Sequence, residues 1–281
     1  MTHIERKEGE RVNAIVNVRI ATLFLEPNLL AEVADEALYG MPVEIIEEID
    51  ESWVKIRTFY RYEGYVLKEN LIIGNEQVSA WITTANSVVI QSFADVLAAP
   101  KIQSTTLISL TRGAFLQQID EEGLPQEWSK VQLVSGETGY VRTEWVQDRI
   151  KVYTLNEELF RQQVVQTAFR YLGTPYRWGG KSPLGIDCSG LCSMAYMLNG
   201  AYIYRDANIV EGFPLREITQ DAMKRGDLIF FPGHVAMYIG GQHYIHSSLG
   251  GNEVNINSLN PQDENYREDL ATTITGIGSI F

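Results

Sequence analysis

The chain has 281 residues, 45% hydrophobic and 21% charged, with two cysteines and a formal net charge of −13; it is long enough to bury a core without a disulfide scaffold. The acidic balance argues against nucleic acid and against an anionic membrane surface, because both need clustered Lys and Arg. No run of about 18 apolar residues occurs, and the opening Met-Thr-His-Ile-Glu-Arg-Lys-Glu-Gly-Glu lacks a signal-peptide core, so the expectation is a soluble, cytoplasmic protein with no membrane partner.

Residues 1–150 hold 23 acidic and 13 basic groups, no cysteine and one histidine, His3. Residues 151–281 hold 13 acidic and 10 basic groups, both cysteines and the other three histidines. Chemistry that needs a thiol or an imidazole therefore belongs to the C-terminal part.

The N-terminal half repeats itself. Leu25-Glu26-Pro27, Ala37-Leu38-Tyr39-Gly40, Trp53-Val54-Lys55-Ile56 and Glu63-Gly64-Tyr65-Val66 recur as Ala98-Ala99-Pro100, Thr111-Arg112-Gly113, Trp128-Ser129-Lys130-Val131 and Thr138-Gly139-Tyr140-Val141. Pro27 to Pro100 and Gly40 to Gly113 are 73 residues apart; Trp53 to Trp128 and Gly64 to Gly139 are 75 apart. Landmarks in one order at a near-constant offset predict a duplicated module. Within each copy, short runs such as Val43-Glu44-Ile45-Ile46-Glu47 and Trp53-Val54-Lys55-Ile56-Arg57 alternate with period two and are rich in β-branched residues, which predicts strands joined across 48–52 and a small barrel. The pattern Gly-x-x-Val, acidic turn, Trp-x-Lys-Val, Gly-Tyr-Val resembles bacterial SH3 domains, more closely in the first copy than in the second, where Ala114-Phe115-Leu116 replaces Met41-Pro42-Val43. Tethering and a direct part in substrate recognition both remain open for such a pair.

After residue 150 the period changes. Val165, Ala168, Phe169 and Leu172 fall at helical spacing over 157–172. Asn156 is placed as an N-cap, Glu157 and Glu158 suit the positive helix end, and Gly173 with Pro175 stops the helix. A Gly-rich loop follows, then Asp187-Cys188-Ser189-Gly190-Leu191-Cys192, where Leu191, Ala195 and Leu198 share one face of a second helix that ends at Asn199-Gly200. Cys188 sits in its first turn, where the helix dipole favours an anion and is expected to lower the thiol pKa. Cys192, one turn later on the apolar stripe, reads as a buried small hydrophobe.

The segment 226–233 reads as a strand ending in a turn, and 234–239 alternates, with His234, Ala236 and Tyr238 on one face. Gly240-Gly241 signals a hairpin, with Tyr244-Ile245-His246-Ser247 returning. Parity then matters. A strict two-residue loop at 240–241 pairs Val235 with His246 and puts the two histidines on opposite faces. An odd-numbered or bulged connection pairs Ala236 with His246 and makes His234 a diagonal neighbour of His246, with Cα atoms about 7–8 Å apart.

One thiol at a helix start and two imidazoles on an adjacent hairpin form a Cys/His nucleophilic constellation, with Cys188 attacking, His234 as base and then acid, and His246 orienting His234. The rival of a zinc site built from Cys188, Cys192, His243 and His246 is opposed by the helical placement of Cys192 and the outward parity of His243.

Tyr176-Arg177-Trp178-Gly179-Gly180, Asp187-Cys188-Ser189-Gly190-Leu191, Arg225-Gly226-Asp227-Leu228-Ile229-Phe230-Phe231, Gly233-His234-Val235-Ala236-Met237-Tyr238-Ile239-Gly240 and Ile245-His246-Ser247-Ser248 resemble, in order, the motifs of the NlpC/p60 family of cell-wall cysteine peptidases. The resemblance implies an α+β, papain-like catalytic domain over 151–281, helices packed on an antiparallel sheet, preceded by two all-β SH3-like barrels at 1–75 and 76–150. It places nucleophile, base and third polar residue on Cys188, His234 and His246, and implies no metal or cofactor.

SH3 modules ahead of such a domain resemble the γ-D-glutamyl-L-diamino acid endopeptidases of that family. The likeness implies cleavage of L-Ala-γ-D-Glu–L-Lys or –meso-diaminopimelate murein tripeptides or tetrapeptides during peptidoglycan recycling; a monomer is the expectation, although the sequence carries no signal of oligomeric state. It assigns Tyr176 and the Cys188 N–H to the oxyanion. It assigns Asp187, Ser189, Asp206 and Ser247 to substrate contact, and Tyr62 and Glu26 of the first module to the free L-Ala amine, a group that acidic and hydroxyl partners distinguish sharply from a blocked one. A secreted hydrolase of intact wall and an inert wall-binding protein are the competing readings.

Overall fold

The short apolar runs of the N-terminal half form two seven-stranded sheets. The computed structural model describes residues 12–281, so that residues 1–11, His3 among them, lie outside the described residues. The chain divides into two compact units after Gln147. In the first, β1 (Val12–Val16), β2 (Ile20–Phe24), β3 (Val33–Leu38), β4 (Pro42–Glu48), β5 (Trp53–Thr58), β6 (Glu63–Leu67) and β7 (Leu71–Ile73) lie in the order β3-β2-β6-β5-β4-β1-β7. After helix α1 (Asn75–Thr84) come β8 (Ser87–Val89), β9 (Phe93–Leu97), β10 (Thr106–Thr111), β11 (Phe115–Ile119), β12 (Trp128–Gln132), β13 (Thr138–Arg142) and β14 (Val146–Asp148). Their order, β10-β9-β13-β12-β11-β8-β14, repeats the first strand for strand.

The sequence offsets locate the difference between the copies. Pro42 and Phe115, which open β4 and β11, are 73 apart, and Trp53 and Trp128, which open β5 and β12, are 75 apart. The two additional residues therefore lie between the start of β11 and the start of β12, a stretch that includes the surface turn joining them. Inward residues alternate along β2 and β6, with Ala21, Leu23 and Val66 fully buried. Each large aliphatic of that row contributes roughly 1.5–3 kcal/mol. The partly exposed pairs of Glu63 with Lys55 and Arg57 contribute under about 1 kcal/mol each, so the apolar row decides the stability of the sheet.

Helix α1 is absent from the sequence reading. Val78 and Trp81, with the capping Ala85 just beyond its end, are buried at helical spacing, but three residues between two strand-rich repeats are a short signal. One backbone hydrogen bond and one to a side chain join the two sheets, and the α1 indole ties in beside them. Phe115 N donates to Tyr39 O at 2.8 Å, Val134 N to the Tyr39 hydroxyl at 2.8 Å, and Trp81 Nε1 to Gly40 O at 2.8 Å. Gly40 has φ +76°, and a Cβ there would stand 2.5 Å from Phe115 O. Glycine thus serves both the left-handed turn and the close approach.

In the second unit, α2 (Glu157–Phe169) starts where the sequence places it, with Asn156 Oδ1 accepting from Leu159 N at 3.1 Å. β15 (Lys181–Ser182) and β16 (Gly185–Ile186) form a small hairpin ahead of α3 (Cys188–Met197), every residue of which is buried. The main sheet contains β17 (Arg216–Ile218), β18 (Leu228–Phe231), β19 (His234–Gly240), β20 (His243–Ser248), β21 (Glu253–Ser258) and β22 (Gly276–Ser279), in the order β17-β22-β18-β19-β20-β21. A short helix, α4 (Glu268–Ala271), precedes β22. Ile229, Phe231, Ala236, Tyr244 and Ile277 form a core cluster on this sheet. Helix α3 packs on β19, β20 and α2, in the helix-on-antiparallel-sheet arrangement expected of the C-terminal part. Buried Arg161 of α2 is held by Asp227 at 2.7 Å, Glu157 at 2.9 Å and the Arg225 carbonyl at 2.9 Å.

Gly40→Ala is expected to destabilise the first unit by about 2–3 kcal/mol, combining roughly 1 kcal/mol or more of left-handed strain with displacement of a packed backbone. Denaturant unfolding of the variant measures this. An unchanged midpoint would show that the two sheets accommodate a side chain at their junction.

Candidate active site

The hairpin geometry decides whether the histidines can act together. β19 and β20 pair Met237 with Ile245 and Tyr238 with Tyr244, but Gly240 with His243, so one extra residue, Ile239, is bulged between the two registers. The turn itself is Gly241-Gln242, both at positive φ, one residue later than the Gly-Gly signal suggests. A two-residue turn plus one bulge restores the odd parity that the pairing requires. His234 and His246 therefore share a face, with His234 Nε2 and His246 Nδ1 2.8 Å apart. Beyond them, His246 Nε2 stands 2.9 Å from Asn257 Oδ1 on β21.

Cys188 opens α3, and the backbone N–H groups of Val235 and Ser189 reach its Sγ, which sets the thiol against the start of β19 beside His234. Asp187 is the helix N-cap: its Oδ1 accepts from Gly190 N at 2.6 Å and its Oδ2 from Gly179 N at 2.9 Å. The cap takes the Gly190 N–H. As the first helical residue, Cys188 has no intrahelical acceptor for its own N–H, which leaves that donor for an oxyanion. Gly190 is required for close approach, since a Cβ there would collide with the Gly180 carbonyl.

Arg205 grips the cap from below. Its two terminal nitrogens each lie 3.1 Å from an Asp187 oxygen, Nη1 also donates to Ser189 Oγ at 2.8 Å, and Nη2 to Gly180 O at 3.3 Å. The guanidinium is 1% exposed. A bidentate charge-assisted pair of this kind holds the loop, the cap and the helix start as one piece. The sequence reading nominates Asp206 but not its neighbour Arg205, and so misses this role; one arginine after the apolar stretch 201–204 was the available signal.

The electrostatics correct one expectation. Burial, then the Asp187 charge, push the Cys188 thiol up to about 11, outweighing the backbone N–H groups and Arg205. The dipole effect is therefore smaller than the desolvation of a thiolate in this site. Burial also pushes His234 down to about 3, reinforced by His246 and Arg267. His246 is lowered by burial, against a raising contribution from Asn257. The resting pair is thus a neutral thiol and a neutral imidazole. Tyr176 is pushed up to about 12 by burial and by the charges of Cys188 and Asp187, so it remains a hydrogen-bond donor at neutral pH.

The remaining nominated residues divide. Asp187 and Ser189 stand next to the thiol, and their oxygens are engaged with Arg205 and with each other (Ser189 Oγ to Asp187 Oδ1, 3.2 Å). Asp206 lines a narrow crevice with Ser189, Tyr204 and Val235. Ser247 does not face the site. It is fully buried on the opposite strand face from His246 and donates to Ile186 O at 2.7 Å, so its assignment to substrate contact is corrected to a packing role. Tyr62 and Glu26 belong to the first unit. Phe24 pairs with Tyr65 in antiparallel register, which carries the exposed loop bearing Glu26 and the β5–β6 turn bearing Tyr62 to the same end of that sheet. His243 is turned to Gly241 O at 2.7 Å and Asp263 at 3.4 Å, and Cys192 is buried in the helix stripe; the four residues of the zinc alternative do not converge. Asn257, which the sequence reading did not nominate, completes the histidine row.

The model of the NlpC/P60 family matches residues 173–271, and that of the bacterial SH3 domain matches residues 16–72, which covers the first repeat and not the second. Dipeptidyl-peptidase 6 of Lysinibacillus sphaericus is 57% identical over 271 residues, 96% of this chain and 100% of that protein. The Gamma-D-glutamyl-L-lysine dipeptidyl-peptidase of Bacillus subtilis (strain 168) is 33% identical over 145 residues, 45% of this chain and 47% of that protein. The crystal structure of an NlpC/P60 family protein from Bacillus cereus shares the fold, with a TM-score of 0.76 and 22% identity over 94% of this chain and 98% of that one.

Two outcomes test the site. Because burial pushes the thiol up to about 11, alkylation of Cys188 by iodoacetamide in the free enzyme should accelerate about tenfold per pH unit between roughly pH 7 and 10; a plateau already reached below pH 7 would establish a preformed thiolate. Arg205→Met should cost about 3–5 kcal/mol in denaturant unfolding, because it strands a buried carboxylate, and a loss under about 1 kcal/mol would remove the clamp from the account.

Proposed function

The chain belongs to the NlpC/P60 family and is a cysteine peptidase; from that premise we propose that it hydrolyses the γ-D-Glu–L-diamino acid bond of murein peptides that carry a free N-terminal L-Ala, releasing L-Ala-γ-D-Glu. The supporting observation is the 57% identity to dipeptidyl-peptidase 6 over the whole of that protein, together with a thiol, an imidazole pair and an oxyanion donor gathered on α3, β19 and β20. The Cys188 proton passes to His234 as sulfur attacks the γ-carbonyl carbon of D-Glu. With both groups neutral at rest, transfer accompanies attack, so the base acts where it is needed rather than storing a charge in a dry site. The tetrahedral oxyanion takes hydrogen bonds from the Cys188 N–H and the Tyr176 hydroxyl. The C–N bond breaks as the leaving diamino acid receives the proton held by His234. Water, deprotonated by His234, then cleaves the thioester and restores the thiol.

In this reading the substrate is a soluble tripeptide or tetrapeptide, the enzyme works as a cytoplasmic monomer in peptidoglycan recycling, and both N-terminal repeats are SH3-like modules. The residues nominated for the amine, Tyr62 and Glu26, are judged by the same assay as the amine itself.

Cys188→Ala should abolish release of L-Ala-γ-D-Glu from L-Ala-γ-D-Glu-L-Lys, and N-acetylation of that peptide should stop cleavage by the wild-type enzyme, as followed by mass spectrometry. Equal turnover of the acetylated peptide would overturn the free-amine requirement, and preferential release from intact sacculi would replace the recycling role with that of a wall hydrolase.

A further inference from the structure

The histidine row does not stop at His246, and its far end has a direction. Asn257 Nδ2 donates to the backbone carbonyl of Asn265 at 2.7 Å. A carbonyl can only accept, so this contact fixes which end of the Asn257 amide faces which neighbour and turns Oδ1 toward His246 Nε2. An amide oxygen also can only accept. In the neutral imidazole, His246 Nε2 therefore carries the hydrogen and Nδ1 carries the lone pair. That lone pair faces His234 Nε2 at 2.8 Å, which must then be the protonated nitrogen of the second ring. The only lone pair left at the end of the row is on His234 Nδ1.

The anchor is itself held. Asn265 O also accepts from Ser258 N at 3.1 Å, and Asn265 Nδ2 donates to Ile256 O at 3.1 Å. Ser258 Oγ donates to Asp263 Oδ2 at 2.6 Å, and Asn260 Nδ2 reaches Asp263 Oδ1 at 3.1 Å. Residues 258–265 are thus tied along the end of β21, and the carbonyl they present to Asn257 has a defined direction. Asn257 is half-buried and His246 fully buried, so bulk water does not compete freely for either partner.

We propose that Asn257, anchored on the Asn265 carbonyl, is a positioning residue that sets the tautomer of both histidines and thereby delivers an unprotonated Nδ1 of His234 as the base for the thiol. The proposal rests on His234 being the base of the peptidase reaction. With the other tautomer, His234 Nδ1 would carry the hydrogen and the thiol would have no acceptor at that atom. No net charge is needed at rest, in agreement with a thiol pushed up and an imidazole pushed down.

The test combines imidazole 15N NMR with steady-state kinetics at pH 7.5, where both rings are neutral. In the wild-type chain, Nε2 of each histidine should give the protonated, pyrrole-like shift and Nδ1 the unprotonated, pyridine-like shift; a protonated His246 Nδ1 would overturn the proposal before any variant is made. Asn257→Leu should mix the tautomers of both rings and lower kcat on the tripeptide by about tenfold or more with KM unchanged. Asn257→Asp loses the bond to Asn265 O but keeps an acceptor for His246, so it should retain the wild-type tautomers and recover most of kcat. Equal losses in the two variants with unaltered tautomers would mean that Asn257 only supports the loop. Because the NMR reading needs no substrate, failure of the tripeptide assay itself would count against the proposed substrate and leave the tautomer result standing.

Discussion

The hydrogen bond between His234 and His246 requires two imidazoles from neighbouring strands to stand on one face of a sheet whose alternation is strict. A regular β19–β20 hairpin closed by a two-residue turn would have separated them. The bulge at Ile239 shifts the register by one residue and brings His246 round to His234. Once that register holds, Asn257 follows on β21 by ordinary pairing, since His246 lies opposite Asn255 and the residue two further along shares its face. The whole row from base to amide is a consequence of one inserted residue.

The thiol is placed by a different constraint. Asp187 caps α3 and is held by a buried arginine from a segment 18 residues later. The cap fixes the first helical residue and clears its N–H, and the same carboxylate pushes the thiol away from ionisation. An isolated helix N-terminus favours a thiolate, but here the site is dry and the Asp187 charge outweighs that of Arg205. The geometry therefore favours a neutral pair over a stored ion pair, which suits a mechanism in which charge develops only when an oxyanion donor is there to meet it.

Much of this was legible in the residues. Period-two runs marked β4 and β5, and the repeat offsets of 73 and 75 carried both the duplication and its two-residue insertion. Asn156 announced the start of α2, and Asp187-Cys188-Ser189-Gly190 put the nucleophile in a first helical turn. Parity alone requires an odd or bulged hairpin if the two histidines are to share a face, and leaves open whether they do. Helix α1 escaped because three apolar positions between strand-rich repeats are too few to set a period. Ser247 was misassigned because its neighbour His246 faces the site, and alternation along β20 sends the serine to the opposite face.

The sequence by itself determined what depends on local pattern and residue type: two β-rich repeats, a thiol at a helix start, two histidines on a hairpin, and the motif order shared with the NlpC/P60 family. Only the tertiary structure decided how the hairpin resolves its parity, that Arg205 clamps the cap, that Asn257 and the Asn265 carbonyl orient the imidazoles, and that the resting thiol is protonated. These depend on burial and on contacts between segments distant in the chain. Desolvation and the direction of a hydrogen bond are set by what surrounds a group in space, and no local period encodes them.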